Sequence, residues 1–159
     1  MNKRKENPAK VFLRRYTALS GRVDALDRAI NQALARATNT GITLKEIKVQ
    51  SSPAEHDPMA RDVCSAVDAS EILYRYKAQA ETALREILAA IESLDDERQK
   101  ELLTRRYING ASFREIREAM HYEETQTFVI HGRALIGINK YLQKRGKTDE
   151  KNADRDSVL

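Results

Sequence analysis

Leu94-Asp95-Asp96-Glu97-Arg98-Gln99-Lys100-Glu101-Leu102-Leu103-Thr104-Arg105-Arg106-Tyr107-Ile108-Asn109-Gly110-Ala111-Ser112-Phe113-Arg114-Glu115-Ile116, continuing to Leu142, is the stretch that decides the fold. It reads as a short helix, a glycine turn, a second short helix, a tight turn and a longer third helix. Ser93 or Asp95 can cap the first helix, and the acids that follow suit the positive end of its dipole. Leu102, Leu103, Tyr107 and Ile108 form its apolar stripe, and Asn109-Gly110 ends it, because glycine takes the left-handed position after a helix without a Cβ penalty. Ser112 caps the second helix, Phe113 to Met120, with Glu115 three residues on as its capping-box partner. Phe113, Ile116 and Met120 line the apolar face of that helix. His121-Tyr122-Glu123 makes the turn. The third helix is predicted from Glu124 to Gln143, with Thr127, Ile130, Ala134, Leu135, Ile138, Tyr141 and Leu142 at helical spacing. This pattern describes a helix-turn-helix over 94–143.

The residues Leu94–Arg98, Leu102–Gly110 and Ser112–Ile116 resemble region 4 of bacterial sigma factors, the part that recognises the −35 promoter element. With a long helical hairpin before them and His131-Gly132-Arg133-Ala134-Leu135 after them, they are similar to a family of small Gram-positive prophage proteins near the ArpU/RinA-type phage transcriptional regulators. The resemblance spans residues 9–142, and its specific part is Leu94–Leu135. It implies a DNA-binding protein whose third helix enters the major groove. Several positions depart from the family pattern. Arg117 stands where a small residue is usual, and His121 stands where the turn usually has Gly or Asn. The third helix opens Glu123-Glu124-Thr125-Gln126, and Phe128-Val129 occupy places where a basic residue is common.

On a helix-turn-helix of this register, Thr125, Gln126 and Val129 are the residues expected to face base edges. Arg114, Arg117, Arg133 and Lys140 are the expected phosphate contacts, with Arg105 and Arg106 as weaker candidates. Each of these arginines could equally serve as a solvated helix-face residue, as Arg114 would in an i,i+4 pair with Glu118.

Outward from this unit, two long helices are predicted. After polar residues 1–7, expected to be disordered, Pro8 suits a helix start. Phe12, Tyr16, Leu19, Val23, Leu26, Ile30, Ala33 and Ala37 then step 4-3-4-3, a heptad seam over a helix about 45 Å long. Thr38 to Gly41 stops it, and residues 38–58 read as a mobile surface loop with Pro53 and Pro58. The second long helix, Met59 to Ser93, carries Val63, Ala66, Ser70, Leu73, Lys77, Ala80, Leu84, Ile87, Ile91 and Leu94 on its seam. Ser70 and Lys77 are the polar members, read as solvated contacts, with a second face available through Val67, Tyr74 and Ala78. The pair makes a long antiparallel coiled-coil hairpin over 8–93. Leftover apolar residues (Leu34, Val67, Ile72, Tyr76, Leu88) point to packing on a second copy or on the third helix of the C-terminal unit, and a homodimer is the expected partner arrangement. Residues 144–159 are charged, lack periodicity and read as a disordered tail.

Composition fits an all-α chain, with 41% apolar and 33% charged residues, six Gly and three Pro among 159 residues. Residues 98–145 hold ten Lys/Arg and five Asp/Glu; their net of +5 against +4 for the whole chain leaves −1 elsewhere. The basic excess therefore sits on the unit expected to meet DNA. Cys64 is the only cysteine, which rules out an internal disulfide and fits a reducing cytoplasm. No apolar run is long enough for a membrane span. His56, His121 and His131 are not at ligand spacing, no phosphate loop or metalloprotease motif occurs, and the acid pairs Asp95-Asp96 and Glu123-Glu124 sit at helix starts. No metal, cofactor or enzymatic activity is expected.

The leading expectation is a cytoplasmic phage or prophage transcription regulator that binds double-stranded DNA, with RNA polymerase as a second expected partner. The alternatives are a degenerate helix-turn-helix adaptor acting on RNA polymerase and a small-terminase-like DNA-packaging protein.

Overall fold

The computed structural model describes residues 6–40 and 58–156. Among them the chain is all-α: α1 (Pro8–Thr40), α2 (Pro58–Glu92), α3 (Glu97–Leu103), a wide π turn (Thr104–Ile108), α4 (Phe113–Met120) and α5 (Glu124–Asp156). Most of the expected loop, residues 41–57, lies outside the described residues. The chain divides into two compact units, one of residues 1–18 with 81–159 and the other Leu19–Ala80. That division differs from a boundary at residue 93, because the first turns of α1 and the last turns of α2 contribute to the same core as α3–α5.

The C-terminal unit has a continuous aliphatic core. Leu13, Ile87, Ile91, Leu102, Leu103, Ile116 and Ile138 are fully buried in it, and Phe12, Tyr107, Ile130 and Leu135 join them. Each arises from the helical spacing of its own element, so a single stripe from each helix meets at the centre. Asn7, placed by the sequence in a disordered arm, is instead an ordered cap. Its Oδ1 accepts from the Ala9 N–H at 3.0 Å and from Asn139 Nδ2 at 3.0 Å, while Asn139 Oδ1 accepts from the same Ala9 N–H. One side chain from α5 thus completes the start of α1 and satisfies an orphan donor there.

Local signals govern α3 and α4. The α3 cap is Asp96, neither Ser93 nor Asp95. Its carboxylate accepts from the Arg98 N–H at 3.0 Å, and the Ser93 hydroxyl turns back to donate to Ala90 O at 2.7 Å. After Leu103 the helix widens: the Asn109 N–H reaches Thr104 O at 3.1 Å, and the Ala111 N–H reaches Arg105 O at 2.9 Å across Gly110, whose φ is 72°. Glycine takes that left-handed position at no steric cost. α4 starts and stops where the sequence places it, with both arms of the Ser112–Glu115 capping box formed.

Two expectations about the long helices change. α5 does not give way to a disordered tail after Gln143 but runs on to Asp156. No proline interrupts it, its residues are mostly good helix formers, and Arg145 donates to Glu86 at 2.9 Å. Glu86 also accepts from Arg15 at 2.9 Å, and the two guanidiniums, Arg145 foremost, hold its carboxyl below the usual carboxylate range. In the Leu19–Ala80 unit, Leu19, Val23, Leu26, Ile30 and Ala33 are half-buried and Ala37 is buried, while Val63, expected on the α2 seam, is exposed. On α2, Ala66, Leu73 and Ala80 are buried at seven-residue steps, but Tyr76 takes the half-buried place expected for Lys77, which is exposed. The Tyr76 ring packs under the Arg22 guanidinium at 5.5 Å. Ser70 satisfies itself by donating to Ala66 O at 2.7 Å. The alternative face through Val67 and Tyr74 is open to solvent, at 57% and 71% exposure.

Candidate nucleic-acid interface

Two helices joined by three residues carry every position singled out for contact: Thr125, Gln126 and Val129 for bases on α5, and for phosphates Arg114 and Arg117 on α4 with Arg133 and Lys140 on α5. α4 is held at its start by Ser112 Oγ accepting the Glu115 N–H at 3.2 Å, and by Glu115 Oε2 accepting the Ser112 N–H at 2.7 Å. Those bonds to Ser112 pull the Glu115 carboxyl below its ordinary value. At the other end His121 adopts φ 54°, ψ 43°, a left-handed conformation that side chains other than Gly and Asn rarely take. Its N–H closes on Arg117 O, so the turn is made without a glycine. α5 then begins at Glu124, and Thr127, fully buried, turns its hydroxyl back to Glu123 O at 2.9 Å.

The inner face of α5 is anchored on the core through Thr127, Ile130, His131, Ala134, Leu135 and Ile138. His131 is a packing residue of this core. It is 7% exposed, its Nε2 lies 3.0 Å from the Tyr107 hydroxyl, and the Phe113 ring meets it edge-on at 5.1 Å. Burial lowers its pKa to about 4, helped by the nearby charges of Lys10 and Arg106. A neutral imidazole and the Tyr107 hydroxyl share this hydrogen bond, its direction set by the imidazole tautomer. Burial pushes the Tyr107 phenol up, which keeps it protonated.

The outer face of α5 presents Thr125, Gln126 and Val129 together, all exposed. Ile136, 58% exposed, continues the line two turns on. Arg133 and Lys140 follow Gln126 at seven-residue steps on one flank and are exposed. Neither of them forms an ion pair among the described residues. Arg114 and Arg117 are different. Arg114 pairs with Glu118 at 3.0 Å and Arg117 with Glu124 at 2.8 Å. The latter pair ties α4 to the tip of α5 and masks one of the two acids there. Together with Glu118, Tyr122, Glu123 and Glu124 these two arginines line one shallow depression.

Arg105 and Arg106 are committed inside the unit. Arg105 holds Glu101 at 2.7 Å, while Arg106 donates to Ala111 O at 2.8 Å and lies 4.8 Å over the Phe113 ring. The sequence reading missed the exposed partner of that ring: Phe128, 48% exposed, packs on Phe113 at 5.1 Å. Among the described residues no cluster of His, Cys, Asp and Glu could hold a metal, and no helix is long and apolar enough to cross a membrane. No family model, curated protein or solved structure matches the chain.

Proposed function

We propose that the chain is a phage or prophage transcription regulator that binds double-stranded DNA through α4 and α5 acting as a sigma-region-4-like helix-turn-helix. The observation that carries this reading is the outer face of α5. Thr125, Gln126 and Val129 stand exposed at its start, and Arg133 and Lys140, which form no ion pair among the described residues, lie further along one flank. Polar and apolar groups at a helix tip with cations behind them suit base edges and phosphates respectively. Arg133 and Lys140 are the principal phosphate contacts; Arg114 and Arg117 would first have to leave Glu118 and Glu124. α1 and α2 form an antiparallel coiled-coil hairpin that pairs two copies, a role supported by the half-buried seam and by the solvent-facing Leu34, Val67, Ile72 and Tyr74.

Fluorescence anisotropy with labelled duplex DNA at two salt concentrations tests this. Each phosphate contact contributes about 0.9 log units of affinity loss per decade of salt. Binding that weakens by roughly two log units or more per decade supports the reading. Absence of binding at low salt overturns it. Light scattering at micromolar concentration tests the pairing, and a monomeric mass refutes it.

A second reading is favoured by Phe128, Val129 and Ile136, which leave an apolar strip on α5, and by the ion-paired Arg114 and Arg117. In it the same face binds protein, with RNA polymerase as the partner, and the salt dependence is shallow. A ring-shaped oligomer in solution would instead favour the DNA-packaging alternative.

A further inference from the structure

We propose that the tip of α5 is an A·T reader, with Gln126 recognising adenine and Val129 the methyl group of thymine; this rests on the DNA-binding reading above. The first two turns of α5 bring no cation to the outer face. Thr125, Gln126 and Val129 are exposed there, and the first basic residue of the helix is Arg133. At about 1.5 Å per residue Arg133 lies roughly 10 Å beyond Gln126 along the axis, a distance suited to the phosphate rim when the tip is in the groove. Guanine is read mainly by Arg or Lys at its O6 and N7 atoms, and none is placed for that here. Cytosine would call for a carboxylate acceptor; Glu124 is held by Arg117 at 2.8 Å, and Glu123 stands before the first helical residue, its carbonyl accepting the Thr127 N–H at 3.0 Å. What the helix presents at its tip is the Thr125 hydroxyl, which suits any base, a carboxamide and a branched apolar side chain. A carboxamide matches the N6 donor and N7 acceptor of adenine, and an apolar side chain matches the C5-methyl of thymine.

Charge complementarity selects duplex DNA as the occupant of this face. Its flank carries Arg133 and Lys140 without partners among the described residues, and residues 98–145 hold a net of +5 from ten Lys/Arg and five Asp/Glu. An apolar protein surface would leave both flanking cations unanswered.

The test is selection of the full-length protein on a pool of duplexes with a randomised core, followed by anisotropy on the enriched duplex. Consecutive A·T pairs should be enriched. Replacing thymine by uracil at the contacted step removes one methyl group and should weaken binding about fourfold. Val129→Ala should bind thymine and uracil duplexes alike, and Gln126→Ala should lose about tenfold in affinity and its preference at the adenine position. Both side chains are exposed, so circular dichroism of each variant should match the parent. Salt-sensitive binding with enrichment of G·C pairs, or equal affinity for thymine and uracil duplexes, overturns the A·T assignment and leaves the DNA-binding reading standing. No binding to any duplex at low salt overturns both.

Discussion

The two compact units bury their apolar residues to different depths. In the C-terminal unit, helices arriving from several directions enclose Leu13, Ile87, Leu103, Ile116 and Ile138 completely. In the Leu19–Ala80 unit, Leu19, Val23, Leu26 and Ile30 remain half-buried, and the buried positions are Ala37, Ala66, Leu73 and Ala80. Two helices cover only one stripe of each other, whereas several can surround a side chain. The first unit therefore encloses its core among its own helices, whereas the second leaves its apolar stripe half-open among the described residues. This is why the proposed roles fall as they do: a rigid reading head in one, a pairing surface in the other.

Truncating one leucine in each unit should give the largest contrast. Leu103 is fully buried, so Leu103→Ala should cost about 3–4 kcal/mol through lost transfer energy and a residual cavity. Leu26 is half-buried, and Leu26→Ala should cost only about 1 kcal/mol. Urea titrations of the full chain followed by circular dichroism measure both. Equal costs would mean that the 19–80 seam is fully enclosed in solution, as a tight homodimer would make it.

Acid should act on the C-terminal unit through His131. Its pKa falls from 6.5 in the unfolded chain to about 4 in the fold, so the native state excludes a proton that the unfolded chain binds. The stability this confers is complete above about pH 6.5, declines as the pH falls toward 4 and is flat below that, an effect of up to about 3 kcal/mol. Lys10 and Arg106 add their repulsion to the desolvation. Stability measured from pH 7 to 5 should slope downward in the parent and much less in His131→Gln, in which that titration is absent. Parallel slopes would place the proton elsewhere.

What the sequence made legible was local. The bounds of α4, its capping box and the Asn109-Gly110 stop are set by residues within a few positions of one another. The inner face of α5 also followed from spacing alone. Contacts between distant residues did not follow: Tyr107 meets His131 across 24 positions, and Asn7 meets Asn139 across 132. Nothing in residues 1–7 announces an asparagine that needs a partner so far along the chain. Tyr76 and Lys77 differ by about a quarter of a helical turn, and both fall near a seam counted in heptads, so the choice between them is made by the Arg22 guanidinium over the tyrosine ring. The extension of α5 was hidden because charge without apolar periodicity suits a solvated helix as well as a disordered tail. At the candidate site, the Arg114–Glu118 pair followed from i,i+4 spacing, whereas only the coordinates show Arg117 on Glu124 across the turn and Arg133 with no ion pair among the described residues.

Within α5 the same comparison of enclosed and open surroundings can be made between two glycines. A Cβ on Gly137 would stand 2.4 Å from Leu94 Cδ2, whereas one on Gly132 would meet nothing within 4 Å. Alanine at either site gains about 1 kcal/mol of helix propensity. At 137 overpacking against a buried leucine costs about 2 kcal/mol, so Gly137→Ala should be destabilising by about 1 kcal/mol net. Gly132→Ala should be stabilising by about the same amount. Thermal melts of the two variants should move in opposite directions; movement in the same direction would show that Leu94 yields freely and that the α5 contact is loose.

The smallest expected effect is at the turn. His121 is the one residue other than glycine with a positive φ among the described residues, at 54°. Holding a side chain there costs about 1 kcal/mol, and glycine recovers it less about 0.5 kcal/mol of its own larger conformational entropy. His121→Gly should therefore stabilise the fold by about 0.5 kcal/mol, while His121→Val, with a branched Cβ, should destabilise it. Urea midpoints in the order Gly, His, Val would establish the left-handed turn between α4 and α5. A stabilising valine would mean that the turn has a different backbone, and with it that Thr125, Gln126 and Val129 leave α4 at another angle.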